Sequence, residues 1–335
     1  MPKPGRRERA RAKWCTSNLN LRMRSVSTPA YCIMPASPLL SNVLPPGGKR
    51  GNTMSSVVAI TGATSGIGRA AALELAGSAS KLILLVRDEK RGDGVRSEIA
   101  RATGDPDRAE VIHCDLASLQ SVRVAASQLL ARYPRLDVLV GNAGVYARTR
   151  EITVDGHELT WQVNHLSHFL LANLLRPALA SAAPSRLVVV SSGAHVAAWR
   201  GIRLEDPEMA RRWGSFPAYA HAKLAEVMFG LAAGRRWAED GIAVNVVHPG
   251  HVATNLYSVE PTLAERMQTR LVRQQTPEQG ADTIVWLASS PEVEGATGGY
   301  YHDRKLARAS WVARDVKGQE RLWRLSAEAT GLPTN

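Results

Sequence analysis

From Val57 onward the chain alternates short apolar runs with longer segments of mixed character. The runs VVAIT (57–61), KLILLV (81–86), AEVIHC (109–114), LDVLV (136–140), RLVVVS (186–191), IAVNVV (242–247) and a weaker GGYYH (298–302) are rich in β-branched residues. Most lack the polar alternation of a strand with one wet face, so they predict strands covered on both sides. Between them lie segments long enough for helices: Gly68–Ala76, Leu116–Arg132, His157–Ala180, Tyr219–Glu239 and Pro277–Ala288. Strands alternating with helices predict right-handed crossovers and a parallel sheet. With no internal repeat and no second apolar block after a linker, the pattern predicts one doubly wound α/β domain. Its sheet is expected to be mostly parallel and seven-stranded, flanked by helices.

Charge changes the picture only at the N-terminus. The net charge of +12 resembles a nucleic-acid signal until it is divided along the chain. Residues 1–53 carry ten Lys/Arg against a single acid, Glu8, whereas the rest carries 32 basic and 29 acidic residues. The body is nearly balanced, and no nucleic-acid partner is expected for it. The first 53 residues are rich in Arg, Ser and Pro without helical or strand period, which reads as disorder. Three readings stay open for them: an artefact ahead of a true start at Met54, an Arg- and Ser-rich targeting peptide, or a basic arm for nucleic acid or anionic lipid. Arg6-Arg7 resembles an export signal, but the apolar segment that should follow is absent. The expected organisation is therefore an extension (1–53), a domain (54–325) and a short C-terminal tail (326–335).

Hydrophobic content of 44% suffices for a sizeable core. No stretch approaches 18 uninterrupted apolar residues, so no membrane span is expected. Cys15, Cys32 and Cys114 are too few and scattered for a disulfide framework, which points to a reducing compartment and a cytoplasmic protein. Among nine histidines, His165 and His168 stand at helical spacing, but no third ligand is suggested and no metal is expected.

Candidate chemistry begins where the first strand ends. Gly62, Gly66 and Gly68 interrupt "VVAITGATSGIGRAAALELA" just before a helix. At that point of a βαβ unit, free N–H groups and the positive end of the helix suit a pyrophosphate. Further on, Tyr219 and Lys223 are four apart on a predicted helix and so share a face. A free tyrosine titrates near 10, too high for neutral acid/base work; a neighbouring ammonium favours the phenolate. Ser192, after the fifth strand, could hydrogen-bond a substrate oxygen and steady developing charge. Each feature has an ordinary reading as well: a surface Tyr/Lys pair, a helix cap at Ser191-Ser192 and a plain turn at Asn142-Ala-Gly144.

Taken together, T61-G-A-T-S-G-I-G68, D115-L, N142-A-G144, N164, S191-S192, Y219-A-H-A-K223 and P249-G250 resemble the short-chain dehydrogenases/reductases over about residues 55–325. "GGYYHDRKLARAS" and "RLWRLSAEATGL" look like the retinol-dehydrogenase-like branch. The resemblance implies a Rossmann-type fold and a hydride transfer between nicotinamide and an alcohol/carbonyl pair. It makes Tyr219 the acid/base, Lys223 the holder of the nicotinamide ribose, Ser192 the orienter of the substrate oxygen and Asn164 the anchor of a relay water. The cofactor would lie against Thr61, Gly62, Thr64, Ser65, Gly66, Ile67, Gly68, Asp115, Leu116, Asn142, Ala143, Gly144, Pro249, Gly250, Val252 and Thr254, besides Tyr219 and Lys223. A homodimer or tetramer is implied too, through the helices around Asn164 and Tyr219.

Arg87 ends the second strand, where an acid would favour NAD and an arginine favours the 2′-phosphate of NADP. The cofactor expected is thus NADP(H), with Asp88 as the competing reading toward NAD and Lys90, Arg91 and Arg69 adding positive potential. Two features depart from the family pattern. Gly141 stands where Asn is frequent, and Ser192 and Tyr219 are 27 residues apart. The missing apolar anchor argues against membrane attachment and a retinoid. A hydrophobic substrate is expected, walled by 145–156, 193–217 with Trp199 and Trp213, and 251–275, where Leu256 and Met267 lie. The rival functions are C=C reduction on the same scaffold and non-catalytic NADP sensing.

Overall fold

The computed structural model describes residues 56–250, 252 and 274–334. Eight strands form one sheet: β1 (Val57–Thr61), β2 (Lys81–Val86), β3 (Ala109–His113), β4 (Val138–Gly141), β5 (Ser185–Val190), β6 (Ile242–Val247), β7 (Tyr300–His302) and β8 (Lys305–Ala307). Their spatial order is β3-β2-β1-β4-β5-β6-β7-β8, parallel throughout except for β8. At the centre Ile60 pairs with Leu84 on one side and Val140 on the other. The chain order reverses between β1 and β4, which sets a crevice at the carboxyl ends of those strands.

The sheet has eight strands where seven were expected. β8 is three residues long and largely exposed, so it leaves no apolar run to read. It arises from a two-residue hairpin in which Asp303 and Arg304 both take positive φ, 48° and 55°, the conformation that lets antiparallel strands reverse without splaying.

Successive strand residues explain the unbroken apolar runs. Ala59, Ile83, Leu139, Leu187, Val189 and Val244 face one core, while Val58, Ile60, Leu84, Val140, Val188 and Val190 face the other. The second core is closed by α1 (Gly66–Leu75), α2 (Glu89–Thr103) and the helix Pro277–Ser289. The first is closed by α3 (Leu119–Arg132), a composite helix, α6 (Ser215–Arg236) and a C-terminal helix. The composite helix is α4 (Leu159–Trp161), a π-helical turn (Gln162–Leu166) and α5 (Ser167–Ser181). The Pro277–Ser289 helix is α7, and Val316–Ala329 is α8.

α8 buries Gln319, Leu322, Trp323, Ser326 and Ala327, a stripe at helical spacing. Trp323 meets Phe169 at 5.0 Å, Phe229 at 5.9 Å and Trp237 at 6.1 Å between ring centroids. The apolar faces of α5 and α6 are thereby covered within one chain. The packed chain also reaches past the expected boundary at 325: Ser326 is fully buried and its Oγ lies 2.7 Å from His165 Nε2.

Candidate active site

The glycine turn is built by close approach of backbones. Gly62 takes φ +69°, and a Cβ there would stand 2.8 Å from Ala143 Cα. A Cβ on Gly68 would stand 2.2 Å from the Gly62 carbonyl oxygen and 2.3 Å from Asn142 Nδ2. Asn142 braces this turn, its Nδ2 donating to the Thr61 carbonyl at 2.9 Å. Ser65 caps α1 with extended backbone, and no acid lies in the first turn. A cradle without side chains, at a helix N-terminus without negative charge, fits a pyrophosphate. Thr64, Ser65, Gly66 and Ile67 complete this strand-to-helix passage.

One hydroxyl ties the turn to the next strand and to the π-helical turn. Thr61 Oγ1 accepts N–H groups from Asn142 at 2.9 Å and Ala143 at 3.0 Å, and lies 3.0 Å from His168 Nε2. His168 Nδ1 is 3.0 Å from the Asn164 carbonyl, which can only accept, so this nitrogen carries the proton and Nε2 accepts from Thr61. Burial holds His168 down at about 4, so the ring is neutral. Gly141 makes room for it: a Cβ there would sit 3.2 Å from His168 Cδ2. The departure at Gly141 thus accompanies a buried histidine, in keeping with the packing role its helical spacing suggests.

Asn164 is fully buried in the π-helical turn, a distortion often found at functional positions. Its Oδ1 accepts from Val145 N at 2.8 Å and its Nδ2 donates to Val145 O at 3.0 Å. The side chain therefore fixes the strand-like exit of the chain after Asn142-Ala143-Gly144. Gly144 lies against both Asn164 and Lys223, since its Cβ would be 3.3 Å from Asn164 Oδ1 and 3.5 Å from Lys223 Nζ.

Tyr219 and Lys223 lie on one buried face of α6, as their spacing predicts. Lys223 Nζ stands 5.7 Å from the centre of the Tyr219 ring, 3.3 Å from the Val190 carbonyl and 2.8 Å from Glu226 Oε2. Ser192 caps the 3-10 turn Gly193–Ala197, its Oγ accepting from Ala194 N at 3.1 Å, and draws the pKa of the Tyr219 phenol down. Burial raises the phenol above its ordinary value, Lys223 draws it down and Glu226 raises it again. For Lys223, burial works against the charge, but Glu226 outweighs it and the ammonium is held above its ordinary range.

The remaining cofactor candidates fall around the same crevice. Asp115 Oδ1 accepts from Ala117 N at 3.0 Å, and the Leu116 carbonyl takes the Ser167 hydroxyl at 2.6 Å, fixing the turn after β3. His248 Nδ1 accepts N–H groups from Gly193 at 3.0 Å and Gly250 at 3.3 Å, joining the Ser192 turn to Pro249-Gly250. Val252 bridges to Gln275. Thr254, with Leu256 and Met267, lies outside the described residues. At the end of β2, Arg87 is exposed, while Asp88 is spent as the cap of α2, its Oδ1 accepting from Arg91 N at 3.0 Å. Arg69 pairs with Glu98 instead of adding free positive potential.

Four participants escaped sequence reading. Tyr146 packs on Tyr219 with ring centroids 5.3 Å apart. His157 and Glu208 anchor the long Ser192–Tyr219 insertion, His157 Nδ1 lying 2.7 Å from Glu208 Oε1. Glu226 lies three residues after Lys223; its helical phase was visible, but an acid beside a lysine reads as a surface pair. Trp199, offered as substrate wall, is 58% exposed and carries Arg200 over its ring.

Fold and site together define a dinucleotide-binding α/β protein. The family model described as Enoyl-(Acyl carrier protein) reductase matches residues 62–302. Retinol dehydrogenase 14 of Mus musculus is 40% identical over 299 residues, covering 85% of this chain and 89% of its own. A protein of Streptomyces sp. (strain C5) named for daunorubicin C-13 ketoreduction is 41% identical over 290 residues, covering 86% and 95%. A crystal structure of an uncharacterized protein from Mycobacterium Paratuberculosis superposes with TM-score 0.67 at 32% identity, covering 84% of this chain and 95% of that one.

The chain belongs to the short-chain dehydrogenase/reductase family, in its retinol-dehydrogenase-like branch. It is an NAD(P)-dependent oxidoreductase. Among the described residues no helix is long and apolar enough to cross a membrane.

Proposed function

We propose that the protein uses NADP(H) to interconvert a bulky apolar carbonyl compound and its alcohol, with Tyr219 as the acid/base. The observation that carries this reading is the convergence of three groups: the Tyr219 phenol, the Ser192 hydroxyl that draws its pKa down and the buried Lys223 ammonium 5.7 Å from its ring. NADPH, when bound, supplies the hydride. Ser192 orients the carbonyl oxygen, and Tyr219 delivers the proton that this oxygen takes up. Lys223 stabilises the phenolate left behind and holds the ribose, while Asn164 keeps the chain after Gly144 in place and anchors the relay that returns the proton. The names of the relatives, for retinol and for the daunorubicin ketone, support a large apolar substrate. The test is NADPH oxidation against a panel of aldehydes and ketones, with an enone included and its product identified. Reduction of bulky apolar carbonyls over small polar ones is expected; reduction of the enone at C=C alone would overturn the reading.

NADP preference rests on the end of β2. With Asp88 occupied as a helix cap, its carboxylate is turned into α2 and away from the role of ribose acceptor. Arg91 Nη2 reaches toward the Thr64 carbonyl at 3.5 Å, so this loop lies beside the glycine turn. A guanidinium there offers planar, charge-assisted bonds to a phosphate. Arg87→Ala is expected to lower the NADPH/NADH ratio of kcat/KM by roughly 10–100-fold, the worth of such a bond. A parent that prefers NADH, or a ratio unmoved by the substitution, would rule Arg87 out as the phosphate reader.

A further inference from the structure

Glu226 lies seven residues after Tyr219 and three after Lys223, so all three side chains share one face of α6. It is 1% exposed, and Lys223 is 4% exposed. Burying a carboxylate is costly unless an opposite charge accompanies it. Its Oε2 stands 2.8 Å from Lys223 Nζ, which is also 3.3 Å from the Val190 carbonyl. The ammonium therefore has a hydrogen-bonded acceptor in the Val190 carbonyl and a counter-charge in Glu226, and it borders the crevice side, where Gly144 and Tyr219 lie.

We infer that Glu226 is a positioning residue that keeps Lys223 protonated and aimed, and thereby sets the pH range over which Tyr219 works. This rests on the assignment of Tyr219 and Lys223 to the reaction. A lone buried ammonium sheds its proton as pH rises, because burial penalises only the charged form. The carboxylate reverses that tendency, and it also offsets part of the ammonium field at the phenol. The other groups facing the pair come from separate elements: His168 on α5, neutral through burial, the Ser191 hydroxyl at the end of β5, and Tyr146 against the Tyr219 ring. Among the described residues none of these brings a second carboxylate to Lys223, so Glu226 and the Tyr219 phenol itself are the acidic groups that hold its charge.

Removing the carboxylate acts at the alkaline end of the pH range. Burial raises the Glu226 carboxyl to about 7, so at lower pH it is largely protonated in the parent as well, and parent and variant differ little there. At higher pH Lys223 becomes neutral and the phenol loses its partner.

The experiment compares kcat/KM for alcohol oxidation from about pH 6 to about pH 10 in the parent, Glu226→Gln and Glu226→Asp. In Glu226→Gln a new alkaline decline is expected, about tenfold at about pH 9.5, the loss that follows when burial carries an unpartnered Lys223 about two units below the ordinary value of about 10.4. Near neutral pH, activity should stay within about threefold of the parent, the field on Tyr219 being retained there. Glu226→Asp keeps the charge but withdraws it by one methylene, and should be intermediate. A second readout uses the cofactor-free protein: the Tm deficit of Glu226→Gln should shrink as pH rises and Lys223 discharges, whereas lost packing gives a deficit independent of pH.

Profiles of unchanged shape with a constant Tm deficit would overturn the inference. Should Glu226→Gln fail to fold, Glu226→Asp decides in the same way: a partial alkaline decline supports the role, and an unchanged profile overturns it. Tyr219→Phe is the control for the underlying assignment. If it remains active, that assignment fails; if it is inactive while Glu226→Gln keeps the parent profile, only the role of Glu226 fails.

Discussion

Turnover is expected to fall by roughly 10²–10⁴-fold when Tyr219 becomes phenylalanine, the usual contribution of a positioned acid/base, while NADPH still binds. The substitution removes one oxygen from a side chain that is 7% exposed and keeps the ring that packs on Tyr146. Little volume changes, so the helix face and its contacts persist. What disappears is the transferable proton and the hydroxyl that Ser192 influences. Single-turnover rates and a fluorescence titration with NADPH separate the two effects. Near-normal turnover, or loss of cofactor binding in step with loss of rate, would remove Tyr219 from the acid/base role.

Gly68→Ala should damage the protein by a different route. The added methyl would meet the Gly62 carbonyl oxygen at 2.2 Å and Asn142 Nδ2 at 2.3 Å. One of these obstacles is backbone, and the other braces the turn through Thr61. Relief therefore requires the strand-to-helix passage to open, at about 1–3 kcal/mol, the usual cost of overpacking. The cofactor cradle opens with it. A lowered Tm is expected, with NADPH affinity reduced at least about tenfold, the consequence of losing one well-made charged hydrogen bond. An unchanged Kd would mean that this turn does not hold the pyrophosphate.

Sequence pattern carried the parallel part of the sheet because each central strand is apolar on both faces, and β1, β2 and β6 begin and end where the runs do. α2 was less visible: only Gly92, Val95 and Ile99 are buried, too few to set a period. β8 was invisible, since a three-residue exposed strand is made by its hairpin and not by its own composition. The composite helix was readable as one helix, but its π-helical turn was not, because the distortion depends on Asn164 and His168 bonding to distant backbone and hydroxyl groups. For the site, local spacing brought out Tyr219 with Lys223 and the glycine turn. The partners that tune them were harder to see. Asp88 could be read as a ribose ligand until its capping bond was seen, and Glu226 as a solvated acid until its burial was.

The aromatic cluster under α8 also gives the molecule an optical signature. Trp237 is fully buried and Trp323 is 5% exposed, whereas Trp199 and Trp311 are 58% and 67% exposed. Indole emission shifts to longer wavelength in water, so the two pairs emit at opposite ends of the band. A dissolved quencher reaches the surface pair before the buried one while the fold is intact. The emission most resistant to quencher, from Trp237, Trp323 and the likewise buried Trp161, thus reports on the core at the face of the sheet closed by α8, without any label.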